Sequence, residues 1–446
     1  MRKLFGTDGI RAVAGEFPLD EATVAPMGAA LAHTLLTVNA QPRVLLGMDT
    51  RESGPALAAQ LAAGLRSGNA EVTFAGVVPT PAVAFLTRSH GYSAGVVISA
   101  SHNPWQDNGI KIFGGDGYKL ADAAELAVEE EIFSRVGKLP LTAAAPVFAD
   151  RNLVFDYAEW LRSEVPDLSL KGQRIVVDCA NGAAFNVAPQ VLRDLGANVI
   201  ATHAEPNGRN INQNCGALHP EVVAREVVAK NATIGITFDG DADRVLFATA
   251  EGKVVNGDGI LLLAAEALRL QGRLKNETVV ATTMSNMGLE SLLADRGIRM
   301  LRAPVGDKYV LEEMRKSGAV LGGEQSGHII FSDRSTTGDG LLTALIVLDM
   351  VAHSGMTFAQ LVADLKTFPQ TIVNVRVREK LPLEQIDGFS LALAAAEAEL
   401  GKRGRIVVRY SGTEKLARVM VEAEEVEAMQ RIADNLAWTI RNQLGA

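Results

Sequence analysis

GVVISASHNPWQDNGIKI, residues 95–112, sets a β-branched run against an abrupt polar break. Gly95-Val96-Val97-Ile98 has the character of a short buried strand. It empties into Ser99, Ala100, Ser101, His102, Asn103 and Pro104, and Pro104 lacks the N–H that a strand would need to continue. In open α/β sheets the loops at the carboxyl ends of strands are where ligands bind. Ser101 is therefore a candidate nucleophile, with His102, Asn103 and Lys111 close in sequence. A plain Ser/Asn turn fits the same residues equally well when the segment is read alone.

Working outward, the same pattern recurs three times: apolar strand, polar loop, helical stretch, second apolar strand, second polar loop. The first unit runs from Val44–Gly47 through MDTRESG and a helix over Pro55–Ser67 to the Ser101 loop. The second runs from Arg174–Asp178 through CANGAAF to Ile234–Phe238 and DGDADR. The third runs from Val279–Thr282 through TMSNMGL to Ala319–Leu321 and GGEQSGH. Alternating strands and helices predict three α/β domains with mixed, largely parallel sheets. After Pro369 the pattern changes to an alternating strand at Thr371–Val377, a helix at Phe389–Leu400, strands at Arg405–Val408 and Leu416–Glu422, and a closing amphipathic helix at Val426–Leu444. This predicts a smaller α+β domain. The expected limits are 1–151, 152–252, 253–368 and 369–446, with the Glu251-Gly252-Lys253 turn as one boundary.

The net charge of −9 argues against nucleic acid as a partner, so an anionic substrate would need local basic pockets. Neither a signal-peptide core nor a bilayer-length apolar stretch is read, which predicts a cytoplasmic protein with no membrane association. Cys179 and Cys215 are too few for a disulfide framework or a CxxC metal site.

Asp239, Asp241 and Asp243 alternate directly after an apolar strand. Three carboxylates this close repel one another, and a divalent cation relieves them. The spacing does not fit an EF-hand loop, because Arg244 and Ala250 stand where Gly and Glu are needed. The set suits Mg²⁺, which leaves room for a phosphate oxygen; Arg244 would bind the same phosphate or hold a carboxylate. The loop Gly322 to His328 offers Glu324, Gln325 and Ser326 as partners for sugar hydroxyls, with its glycines letting the backbone approach a ligand. Arg409-Tyr410-Ser411-Gly412-Thr413-Glu414 with Arg418 has the makings of a phosphate cradle but is not a Walker A loop. Asp49 and Arg51 are read as either a turn or a simple pair.

Taken in order, FGTDGIR, GMDTRESG, PTPAV, SASHNP with NGIKIF, DCANGA, DGDADR, MSN, GEQSGH, TTGDG and RYSGTE resemble the α-D-phosphohexomutase superfamily along the whole chain. GEQSGH resembles the branch acting on glucosamine phosphates. The resemblance implies four domains around a central cleft. It also implies a phosphoserine at Ser101, and one Mg²⁺ held by Asp239, Asp241, Asp243 and that phosphate. The implied reaction interconverts glucosamine 6-phosphate and glucosamine 1-phosphate through a 1,6-bisphosphate, upstream of amino-sugar and peptidoglycan precursors.

Arg409, Ser411, Gly412, Thr413 and Arg418 would hold the non-reacting phosphate, and Glu324, Gln325, Ser326 and His328 would line the sugar. Proton transfer would fall to Lys111 and His102, with Arg11 stabilising charge; the expectation for Lys111 is a lowered pKa and a neutral amine. Gln325 is expected near the 2-amino group. Similar bacterial enzymes are often dimeric, so a homodimer is the expected assembly. Ala12, Ala242 and Lys415 depart from the superfamily's usual Gly, Gly and Pro. The rivals are a phosphoglucomutase or phosphomannomutase, a serine hydrolase using Ser101 and His102, and a non-catalytic metal-binding protein.

Overall fold

The computed structural model describes residues 4–6, 8–138, 144–411 and 415–445. They divide into two compact units, Met1–Thr283 with Leu301–Val362, and Met284–Met300 with Ala363–Ala446.

In the first unit, β1 (Ile10–Val13), β2 (Arg43–Met48), β3 (Glu71–Val77), β4 (Ala94–Ile98) and β5 (Asp107–Gly114) form one sheet in the order β1-β5-β4-β2-β3. The neighbours β4-β2-β3 run parallel, whereas β5 and β1 add antiparallel strands at the other edge. All five residues of β4 are buried, as a strand covered on both faces requires. Helices Glu21–Leu36 and Gly54–Ser67 cover this sheet together with Asp122–Arg135, and they share its apolar core. Gly28 and Gly64 let the first two approach closely, because a Cβ at Gly64 would lie 1.9 Å from the Ala25 carbonyl oxygen.

The second sheet repeats the plan. It joins β6 (Arg174–Asp178), β7 (Asn198–Thr202), β8 (Ile234–Phe238), β9 (Val245–Thr249) and β10 (Val254–Val255) in the order β10-β9-β8-β6-β7. Its parallel strands are β8-β6-β7, with β9 and β10 antiparallel. Because β10 pairs back onto β9 across the Gly252 turn, this sheet extends to Val255, past the turn expected to separate domains.

The third sheet contains β11 (Thr278–Thr282), β12 (Arg299–Ala303), β13 (Leu321–Gly323) and β14 (Ile329–Phe331), ordered β12-β11-β13-β14. Here the expected strand at Ala319–Leu321 lies two residues further on. Gly322 and Gly323 belong to β13 and serve packing: a Cβ at Gly322 would lie 2.5 Å from Met314 Sδ.

The second unit carries an antiparallel sheet of β15 (Gln370–Arg376), β16 (Gly404–Tyr410) and β17 (Leu416–Ala423), ordered β15-β17-β16. Helices Phe389–Leu400 and Val426–Leu444 close its core over Val375, Val419 and Val421. Three α/β sheets and one α+β sheet thus match the expected classes.

Candidate active site

Parallel neighbours end on the same side of a sheet, so the polar loops after β2 and β4 lie side by side, as do those after β6 and β8. The Ser101 loop is built on a buried arginine. Arg51 has a fully covered side chain and pairs with Asp49 at 2.9 Å. Its remaining N–H groups donate to the carbonyls of Ser101 at 3.0 Å, Asn103 at 2.8 Å and Asp107 at 2.9 Å, and to that of Pro104. Asp49 in turn accepts from Ser99 Oγ at 2.6 Å, and Ser99 Oγ accepts from Ser101 N at 2.9 Å. Asn212, from the second sheet's loops, donates to the Ser101 and Asn103 carbonyls. Held this way, Ser101 is buried at φ +51°, and its hydroxyl donates to Asp239 Oδ2 at 2.6 Å.

Asp239, Asp241 and Asp243 are buried together, each offering an oxygen within 4.8 Å of the others. Asp241 Oδ2 accepts from Thr80 Oγ1 at 2.6 Å and from Lys111 Nζ at 2.8 Å. Asp241 Oδ1 and Asp243 Oδ1 are buried with no hydrogen-bond donor. Such oxygens are costly to leave unmatched, and a divalent cation fits them. Burial and its two carboxylate neighbours push Asp239 well above the ordinary aspartate range. Burial opposes ionisation of Asp243 too, but Lys111, His328 and Arg244 outweigh it and hold that carboxyl low. Ala242, where the superfamily favours glycine, sits at φ +56°.

Lys111 corrects one expectation. Its Nζ, on buried β5, faces Asp241 at 2.8 Å, Asp8 at 3.0 Å and Asp243 at 3.5 Å. Burial alone would lower its pKa, but these carboxylates raise it well above the usual lysine value. It is a fixed cation and not a neutral amine. His102 goes the other way: burial, Arg244 and Arg11 lower its pKa, so the imidazole is neutral near neutral pH. Its Nδ1 lies 3.5 Å from Ser101 Oγ and 3.3 Å from an Arg244 nitrogen.

These groups border a cavity of about 460 Å³ lined by Arg11, His102, Arg244, Glu324 and His328, and by Asp8, Lys119 and Asp307. Lys119 bridges Asp8 and Asp307. Glu324 Oε1 accepts from Gly306 N at 3.0 Å, and His328 Nε2 accepts from Gly338 N at 3.1 Å. Gln325 and Ser326 do not line the cavity. Gln325 donates to Asp258 Oδ2 at 3.1 Å, and Ser326 lies against Glu324. Gln325, expected near a sugar amino group, is bonded in this structure to the first turn of helix Gly257–Leu270.

In the second unit, Arg409 and Arg418 are directly opposite across β16 and β17, an arrangement of like charges that favours an anion. Ser411 follows, its carbonyl accepting from Lys380 Nζ at 2.6 Å. Gly412 and Thr413 lie outside the described residues.

Sequence reasoning did not single out Thr80, Lys119, Asn212 or Asp307, and gave Asp49 and Arg51 no role in the loop. Asp49, Arg51 and Thr80 stand inside quoted motifs, which was a usable signal; Asp307 had none.

The fold and this site define a class. Models described as phosphoglucomutase/phosphomannomutase alpha/beta/alpha domains I, II and III match residues 2–136, 156–252 and 256–368, and the model of the C-terminal domain matches 372–438. The chain belongs to the phosphoglucomutase/phosphomannomutase family. Within it, the chain is 55% identical to a phosphoglucosamine mutase of Koribacter versatilis over 453 residues, covering 100% of this chain and 98% of that protein. A phosphoglucosamine mutase of Solibacter usitatus is 50% identical, with 100% and 99% covered. Among solved structures, a phosphoglucomutase/phosphomannomutase family protein from Burkholderia thailandensis shares the fold with a TM-score of 0.79 at 24% identity, covering 99% and 98%. The Aspergillus fumigatus N-acetylphosphoglucosamine mutase, solved with GlcNAc-6P and magnesium, shares it at 0.65 and 18%, covering 99% and 96%. Among the described residues no helix is long and apolar enough to cross a membrane.

Proposed function

We propose that this protein is an intramolecular phosphotransferase that interconverts glucosamine 6-phosphate and glucosamine 1-phosphate. The observation that carries the chemistry is the Ser101 hydroxyl set 2.6 Å from a buried carboxylate triad with two unmatched oxygens. The choice of glucosamine rests on the full-length identity to phosphoglucosamine mutases.

In the resting enzyme Ser101 carries a phosphoryl group. The sugar's 1-hydroxyl attacks that phosphorus; the new O1–P bond forms as the Ser101 Oγ–P bond breaks. His102, neutral and beside Ser101, takes the hydroxyl proton and returns it to the freed Oγ. The resulting glucosamine 1,6-bisphosphate turns about and gives its 6-phosphoryl group back to Ser101 by the reverse exchange. Arg11 and Arg244 face the charge that develops on the transferring oxygens. Lys111 keeps Asp8 and Asp243 ionised in a buried setting and donates to Asp241. A Mg²⁺ held by Asp239, Asp241, Asp243 and the Ser101 phosphate would neutralise about −1.5 to −2 charges of phosphate and polarise phosphorus.

We assign Glu324 and His328 to sugar contact and Arg409, Ser411, Gly412, Thr413 and Arg418 to phosphate binding. The four segments expected at 1–151, 152–252, 253–368 and 369–446, with the second carried on to Val255 by its last strand, would act as the domains of a cytoplasmic homodimer. The test is phosphopeptide mapping with a mutase assay for wild type and Ser101→Ala. Phosphate on Ser101 and loss of turnover in the variant are expected; an unphosphorylated, fully active Ser101→Ala protein overturns the mechanism. A higher kcat/KM for glucose or mannose 6-phosphate than for glucosamine 6-phosphate overturns the substrate.

A further inference from the structure

Asp178, His203 and Cys215 take no part in the proposed reaction, yet they bring an oxygen, a nitrogen and a sulfur within 4.8 Å of one another. The topology accounts for the meeting. Asp178 ends β6 and is in register with Thr202, the last residue of the parallel neighbour β7, so His203 emerges beside it. Cys215 arrives from the following loop, which Gly216 N ties to Asp178 Oδ2 at 3.0 Å.

The details suit a shared ion better than a simple pair. His203 Nδ1 is buried and only 3.2 Å from Asp178 Oδ1, yet it lacks the alignment of a hydrogen bond. An oxygen and a nitrogen each about 2.1 Å from one tetrahedral cation would stand about 3.4 Å apart. Asp178 also accepts from Ala180 N at 2.9 Å, but each carboxylate oxygen has a second lone pair free for a metal. Cys215 is a free, buried cysteine beside that carboxylate. His203 remains about a third exposed and leaves a path for the ion and a water ligand.

We propose that Asp178, His203 and Cys215 form a site for a thiophilic divalent cation of the zinc and cobalt class. The mixed nitrogen, oxygen and sulfur donors favour such ions, whereas the all-oxygen triad suits Mg²⁺. On binding, the Cys215 thiol releases its proton to water as the metal–Sγ bond forms, and the ion's two charges balance the thiolate and carboxylate. The ligand loop is also the one that holds the nucleophile, since Asn212 lies three residues before Cys215.

The experiment titrates chelator-stripped full-length protein with Co²⁺ in the presence of saturating Mg²⁺ and reads the thiolate-to-cobalt charge-transfer band. One equivalent should produce the band, and Zn²⁺ should abolish it by displacement. Cys215→Ser and His203→Ala, each checked for native circular dichroism, should lose it, while Cys179→Ser and Asp241→Asn keep it. No band in wild type, a band that survives Cys215→Ser, or a band that requires Asp241 overturns the site. The His203 variant keeps the test decisive if Cys215→Ser does not fold, because that side chain is partly exposed.

Discussion

Replacing Arg51 with methionine keeps an unbranched apolar stem and removes the guanidinium with its charge and donors. The structure fixes what this strands. Asp49 is wholly buried, and burial already pushes its pKa upward against the pull of Arg51 and Ser99. The carbonyls of Ser101, Asn103, Pro104 and Asp107 lose this partner at once. Removing one member of a buried ion pair costs about 3–5 kcal/mol. Against a total stability of about 5–15 kcal/mol for a domain, that is a large share. At about 2–4 °C per kcal/mol for a domain of this size, the first domain should melt roughly 6–20 °C lower. Asp49→Asn in the same background removes the stranded charge, so the double variant should recover about 1–3 kcal/mol relative to additivity. Thermal unfolding of the four proteins in the cycle measures this, with turnover expected to fall about 100-fold as the Ser101 loop shifts. A methionine variant that melts with wild type, or a cycle with no coupling, would refute the assignment of Arg51 as the loop's scaffold.

Four further outcomes are expected. Burial pushes Asp339, the N-cap of helix Gly340–Ser354, up to about 7, against the donors Leu342 N and the Tyr157 hydroxyl. The native state therefore holds the extra proton, so this group's contribution is full below about pH 4 and lost as pH rises through about 7. Asp339→Asn keeps a capping acceptor and should flatten that slope; an unchanged pH–stability profile would count against it. Thr80→Val removes the hydroxyl that orients Asp241 and should raise the Mg²⁺ concentration for half-activity about 10–100-fold, measured by metal titration of turnover. Gln325→Met should leave the ratio of kcat/KM for glucosamine and glucose 6-phosphates within roughly twofold, because that side chain is bonded to Asp258. Ala242→Gly should stabilise the protein by about 1 kcal/mol through relief of a left-handed backbone at an alanine, read by denaturant unfolding.

Much of this was legible because its signals are local. The apolar runs at Arg174–Asp178 and Ile234–Phe238 end where the strands end, since a polar Asp/Gly loop cannot continue a buried strand. The alternation of Asp239, Asp241 and Asp243 likewise implies mutual repulsion without any knowledge of the fold. What failed to read were properties set by distant partners. Lys111 reads as a base in the vicinity of a metal, but its charge is decided by Asp8 on one side and Asp241 on the other. Gln325 reads as a sugar ligand until helix Gly257–Leu270 brings Asp258 to it. The glycines before it read as a ligand loop, but the bulk of Met314 makes them packing residues.

The sequence distance between Ser101 and its acid partner has a consequence for biosynthesis. All five strands of the first sheet are complete by Gly114, whereas Asp239 lies 138 residues beyond Ser101. At about 5–20 residues per second, roughly 7–28 s of synthesis separate the two. During that interval the nascent chain has no carboxylate triad to set opposite the serine, and for the first 111 residues of it no Asn212 either. The Ser101–Asp239 contact, and with it the paired hydroxyl and carboxylate of the site, therefore forms only after the acidic loop has been made.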